Sequence, residues 1–106
     1  MGKKEAIIKK LGQFEKNISN EFQVDYLLFF GSQARGDSHK DSDIDLVIVS
    51  PAFRKQKFFQ RAVKLYDYWN LDYPVDFLCL TPEEFAKKKK EIGIIQEAVR
   101  EGIPIG

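Results

Sequence analysis

Phe30-Gly31-Ser32-Gln33-Ala34-Arg35-Gly36, followed closely by Asp41-Ser42-Asp43-Ile44-Asp45-Leu46, is the stretch whose reading decides the fold. The first part reads as a strand ending in a tight glycine turn, then a polar segment that opens a short helix. Gly31 lets the backbone turn and approach a ligand because it has no Cβ. Ser32 is placed to cap the helix that follows, whose first N–H groups form an anion site. The second part is an acidic turn that runs into an apolar strand, Ile44 to Val49. Residues two apart on a strand share a face, so Asp43 and Asp45 point the same way. Their Cα atoms are expected roughly 6.5–7 Å apart. A phosphate cradle beside paired carboxylates suggests metal-assisted phosphoryl chemistry.

Working outward, Val24 to Phe30 is apolar and rich in aromatic and branched residues, which suits a strand covered on both faces. Before it, residues 3 to about 19 carry Ile7, Leu11, Phe14 and Ile18 at helical spacing, the pattern of an amphipathic helix packed on a sheet. Gly36 to Ser42 is polar and reads as a loop. Ser50-Pro51 marks a helix start, and one helix is predicted from about Ala52 to Asn70. Its stripe is Phe58, Ala62, Leu65 and Trp69, thickened by Phe59, Val63 and Tyr66. Arg54, Lys55, Lys57, Arg61 and Lys64 are read as a solvated basic face, with an acidic or nucleic-acid contact as the functional alternative.

Val75 to Leu80 is the third strand, with Asp76, Leu78 and Leu80 on one face and Val75, Phe77 and Cys79 on the other. Cys79 is therefore read as a small core residue rather than a nucleophile. Thr81-Pro82-Glu83-Glu84 is a capping box that starts a helix carrying the basic run Lys87 to Lys90, read as a solvated face. Ile92, Ile95, Ala98 and Val99 suggest a last helix ended by Gly102. The apolar tail Ile103-Pro104-Ile105 is left to pack down or to bind a partner. Three strands with helices on one side make a small α/β domain.

Composition bounds the function. With 106 residues the chain suits one domain with a single core. Its 17 basic and 16 acidic residues leave a net charge of +1, which gives no bulk signal of a polyanion-binding protein. The single cysteine excludes an intramolecular disulfide and suits a reducing compartment. No leader is visible after Met1 and no run approaches the roughly 20 apolar residues of a membrane span, so a soluble cytoplasmic protein is expected.

Gly31-Ser32, Asp43-Ile44-Asp45 and Asp76 within Pro74-Val75-Asp76-Phe77-Leu78 together resemble the nucleotidyltransferase superfamily that includes DNA polymerase beta. Gly31-Ser32-Gln33-Ala34-Arg35-Gly36 looks most like the minimal nucleotidyltransferases of bacteria and archaea, in which a chain of this size is nearly all catalytic domain. The resemblance thus covers residues 1–106 as one nucleotidyltransferase domain and implies an α+β fold, a small mixed sheet with helices packed on one face. It implies two Mg2+ ions and ATP as nucleotide donor. Asp43, Asp45 and Asp76 would be the catalytic and metal-holding residues, Asp43 and Asp45 on both ions and Asp76 at the attacking hydroxyl. Gly31 and Ser32 would bind the triphosphate. Arg35 is placed either to hold a phosphate oxygen or to pair with a local aspartate. The minimal members pair with a separately encoded helical HEPN protein, often a ribonuclease toxin, and transfer AMP to its tyrosine as antitoxin. A HEPN-type partner and a homo- or hetero-oligomer are expected on that basis.

Rival readings stand beside this one. One is a non-catalytic antitoxin that acts by binding alone, and another is a small-molecule transferase of the antibiotic-modifying kind. A calcium loop starting at Asp41 fails because Leu46 stands where glycine is needed and Ala52 where glutamate is needed. His39, in a polar loop, is read as solvent-exposed.

Overall fold

The computed structural model describes residues 2–36 and 43–106. His39 and Asp41 therefore lie outside the described residues.

Strands that are apolar on both faces have to be covered on both, and this dictates the architecture. Strands β1 (Tyr26–Phe30), β2 (Ile44–Val49) and β3 (Val75–Leu80) form the body of a mixed sheet. A two-residue strand β4 (Ile103–Pro104) closes one side, giving the order β3-β2-β1-β4. β2 runs antiparallel to β1 and parallel to β3. On one face Leu27, Phe29, Ile44, Leu46, Ile48, Phe77 and Cys79 pack under helix α1 (Lys3–Ser19), whose Ile7, Leu11, Phe14 and Ile18 are buried as the periodicity predicts. On the other face Leu28, Phe30, Val47, Val49 and Leu80 meet Phe85 of α3 (Pro82–Lys88) and Ile95 and Ala98 of α4 (Ile94–Glu101). Helices thus stand on both faces, where the sequence reading put them on one. The alternate apolar positions of β1 and β2 require that second layer.

The tail packs down. Ile103 and Pro104 pair with Phe29 and Leu28, and Ile105 is buried. Gly102 makes this exit possible, because a Cβ there would lie 2.2 Å from the Ala98 carbonyl oxygen. Ile92 lies before α4 and is 98% exposed, so it does not belong to the helical stripe. Thr81 and Glu84 form the expected capping box: the Thr81 hydroxyl accepts from the Glu84 N–H at 3.1 Å, and the Glu84 carboxylate accepts from the Thr81 N–H at 2.8 Å.

The helix predicted from Ala52 to Asn70 is not one helix. The segment is three short 3-10 turns, Pro51–Lys55, Phe58–Gln60 and Val63–Tyr68, with extended backbone at Gln56 and Lys57. Phe53 and Leu65 are buried, while Phe58, Phe59, Val63 and Tyr66 are exposed. Aromatic and β-branched residues lose rotamer freedom in a helix, and the segment gains more by inserting separate anchors into the core. Trp69 stacks edge-on against Phe14 and Phe77, and its indole N–H donates to the Tyr73 carbonyl at 2.9 Å.

Arg61, placed by periodicity on a solvated face, is instead 7% exposed. Its guanidinium donates to the Glu84 carboxylate at 2.6 Å and to the Cys79 carbonyl at 3.1 Å. It also lies 5.4 Å from the centre of the Phe58 ring. Arg54 pairs with Glu83 in parallel with it. These two bridges tie the 51–68 segment to α3 around the outer edge of β3. Arg61→Ala leaves Glu84 and the Cys79 carbonyl without this donor, and the expected loss is about 2 kcal/mol, read as a lower urea midpoint with an unchanged slope. The Arg61 guanidinium holds the Glu84 carboxyl below its ordinary range. This stabilisation is present above the ordinary Glu range and is lost as pH falls through the lowered native value. The difference between wild type and Arg61→Ala therefore narrows in acid.

Candidate active site

Parallel pairing of β2 with β3 sets the site. Asp45 stands in register with Asp76, and the Ile44 N–H donates to the Pro74 carbonyl at 2.9 Å, fixing that register at the strand start. Neighbouring strands lie about 4.8 Å apart, so the two backbones hold these carboxylates side by side. Both point to the face that carries α3 and α4, because Val47, Val49 and Leu80 alternate with them onto that layer. Asp43 directly precedes β2 on the same face. All three aspartates thus lie at one end and on one face of the sheet.

Their surroundings differ. Asp43 and Asp76 are exposed, whereas Asp45 is half-buried. Burial pushes the Asp45 carboxyl above its ordinary value of 3.8, the negative charges of Asp76 and Asp43 push it further, and Arg35 opposes them. Among the described residues, no three His, Cys, Asp or Glu side chains stand at spacing that would hold a metal ion. The backbone register alone sets the common face of the aspartates. Three hard carboxylate donors with this mutual repulsion are the donor set that suits Mg2+.

β1 delivers the second half of the site. Phe30 is in register with Asp45, so the chain leaves β1 at Gly31 directly beside that carboxylate. Gly31 has φ of +84°, and a Cβ built on it would lie 2.2 Å from Asp45 Oδ2. Glycine is required there on both counts. Gly31 is also the N-cap of the single-turn helix α2 (Ser32–Arg35), which makes Ser32 the first helical residue with no side-chain capping bond, contrary to the cap role expected of it. The turn needs glycine's conformation, which displaces the serine by one position.

A cleft of about 380 Å³ opens from Asp45 along Phe30, Gly31, Ser32 and Arg35. Its far wall is α4, through Ile94, Glu97 and Glu101. Sequence reasoning missed this wall. The spacing of Glu97 and Glu101, four apart on a helix, was a signal that they share a face, but nothing in the sequence showed which face met the glycine turn. A second cleft of about 380 Å³ lies on the opposite layer, among Phe22, Phe53, Gln56 and Tyr68, away from the aspartates.

A helix-flanked mixed sheet thus carries a glycine turn, three carboxylates at one end and a cleft of about 380 Å³ between the turn and α4. The fold alone is shared by a solved structure described as a "putative nucleotidyltransferase" from Sulfolobus solfataricus, with a TM-score of 0.67, 20% identity, and 95% of this chain and 80% of that chain covered. The chain also matches the nucleotidyltransferase domain family over residues 11–101, and it belongs to that family. A relative in Methanocaldococcus jannaschii, described as a "putative protein adenylyltransferase", is 29% identical over 101 residues, covering 93% of this chain and 98% of that one. No helix among the described residues is long and apolar enough to cross a membrane.

Two outcomes test the geometry. Gly31→Ala forces a side chain onto a positive φ and into the Asp45 carboxylate, and its expected cost is about 1–3 kcal/mol, measured by denaturant unfolding. Because the Asp45 pKa is raised in the fold, the native state holds its proton more tightly than the unfolded chain. Stability therefore falls as pH rises from the ordinary Asp range through the raised native value. Asp45→Asn removes that loss, so without metal its Tm at pH 7 exceeds the wild type's, and the difference closes in acid. Calorimetry in the presence of a chelator reads this directly.

Proposed function

We propose that the protein is a Mg2+-dependent nucleotidyltransferase that moves AMP from ATP to a hydroxyl of a partner protein. The observation that carries this reading is the Asp45–Asp76 pair held in register beside the Gly31 turn. It puts negative side chains next to a backbone shaped to approach a phosphate. The likeness to the Methanocaldococcus relative, described as a "putative protein adenylyltransferase", supports AMP as the group and a protein as the acceptor.

The bond chemistry is a displacement at the α-phosphorus. The acceptor oxygen bonds to that phosphorus, the bond to the bridging oxygen of the β-phosphate breaks, and pyrophosphate leaves. Asp43 and Asp45 would hold two Mg2+ ions, and Asp76 would hold the one at the acceptor. Mg2+ held there would neutralise charge on the phosphates and favour the ionised acceptor oxygen. Gly31 and Ser32 bind the triphosphate through backbone N–H and hydroxyl. Arg35 lies on the same cleft and moderates the charge of Asp45. Asp76 takes the proton of the acceptor hydroxyl.

The partner is, on the resemblance of Gly31 to Gly36, a HEPN-type protein, and the transferase acts as its antitoxin by modifying a tyrosine. Incubation with a HEPN-type protein encoded in the adjacent reading frame, Mg2+ and each triphosphate, followed by intact-mass measurement, tests this. The expected result is one or more AMP additions to the partner with ATP, lost with Asp43→Asn, Asp45→Asn or Asp76→Asn. A partner that stays unmodified yet is bound and inhibited identifies an antitoxin that works by binding alone. Mg2+ with ATP is also expected to raise the Tm of the wild type by mass action, and Asp43→Asn to lose that rise.

A further inference from the structure

We propose that the acceptor protein docks along the outer edge of β3, on the ridge formed by Phe58, Phe59, Val63 and Tyr66. The inference rests on the transferase reading above and names where its acceptor binds. Two independent observations lead to it.

The first is the direction of the donor cleft. From Asp45 it runs towards Gly31, Ser32, Arg35 and Ile94, the side of the sheet occupied by β1 and α4. A triphosphate bound there releases pyrophosphate on that side. In-line displacement brings the attacking oxygen from the opposite side of the phosphorus. Opposite the cleft lies Asp76 on β3, the edge strand of the sheet. The acceptor must therefore come over the β3 edge.

The second is what that edge carries. The 58–68 segment flanks it: Arg61 reaches the Cys79 carbonyl from outside the strand, and Tyr66 packs edge-on against Phe77, ring centres 5.0 Å apart, on the α1 side of β3. Phe58, Phe59, Val63 and Tyr66 are 60%, 74%, 63% and 52% exposed. Four large apolar side chains exposed on one short segment are the type of surface that marks an interaction site. Aromatic side chains dominate the anchored centres of interfaces. The exposed Lys55, Lys57 and Lys64 border the ridge. The complementary surface is an apolar stripe flanked by carboxylates, with the acceptor hydroxyl at the end nearest Asp76.

The probe is an amphipathic helical peptide with leucines along one face, glutamates beside them and a terminal tyrosine. Its control carries lysines in place of the glutamates. Binding is read by fluorescence anisotropy and transfer by mass. The wild type is expected to bind the acidic peptide at least about tenfold more tightly than the control, and Phe59→Asp/Val63→Asp to weaken it by about tenfold or more. Ile92→Asp, an exposed change on the α3–α4 connection, should bind as the wild type does. Equal affinity for the two peptides, or unchanged binding by Phe59→Asp/Val63→Asp, overturns the proposal. So does a wild-type dimer that this double variant converts to monomer, because a second copy then covers the ridge. If the binding pattern holds but no AMP reaches the tyrosine with Mg2+ and ATP, the docking surface stands and the transferase reading fails. If AMP is transferred without the binding preference, the reverse holds.

Discussion

Everything at the acidic end of this molecule depends on the parallel pairing of β2 with β3. That pairing places Asp45 beside Asp76, two negative groups on adjacent strands facing the same way. Like charges opposite one another destabilise a sheet, so the register needs support from elsewhere. It comes from the residues that follow. Leu46 through Val49 are buried, as are Phe77, Cys79 and Leu80 on the partner strand. A one-residue slip would turn every one of these side chains to the wrong layer. The apolar halves of the two strands therefore hold the carboxylates of the acidic halves together. The tension is local: burial first, and then the charges of Asp76 and Asp43, raise the proton affinity of Asp45.

Much of this could be read from the sequence because the relevant signals are short in range. Ile7, Leu11, Phe14 and Ile18 repeat at helical spacing and are buried. Thr81 to Glu84 spells its own cap. The face shared by Asp43 and Asp45, and that shared by Asp76 and Leu80, follow from strand alternation alone. What was not legible is what depends on contacts between distant residues. Arg61 looks like one of five cations on a polar face, and only the approach of Glu84 and the Cys79 carbonyl makes it buried. The 52–70 stretch has apolar residues at helical intervals, yet its anchors enter the core as separate turns. The tail joins the sheet because β1 presents a free edge to it, which no property of Ile103 announces. Glu97 and Glu101 belong to the cleft only through the way α4 packs over Ile95 and Ala98.

Burial also settles the standing of the one cysteine. Cys79 is buried on β3, and desolvation pushes its thiol up to about 12 against the opposing charge of Arg61. A thiol is nucleophilic as the thiolate, so at neutral pH Cys79 acts as a small apolar side chain. The charge beside it serves the Cys79 carbonyl and Glu84 instead.

The three carboxylates are not equivalent, and the sheet order explains why. β2 is an interior strand, so Asp45 has a neighbour on each side: Phe30 and the Gly31 turn on one, Asp76 on the other. β3 is an edge strand, so Asp76 has a backbone neighbour on one side only. Asp45 accordingly takes the burial, while Asp76 stays exposed. An interior carboxylate pressed against a glycine turn has little room to move, which suits a group that fixes the position of a phosphate. An edge carboxylate can be reached from outside the fold, which suits a group that meets an incoming hydroxyl. On the proposed transferase reading, the strand order already separates a donor side from an acceptor side. On that reading the exposed side chains Phe58, Phe59, Val63 and Tyr66 flank the edge strand that carries Asp76.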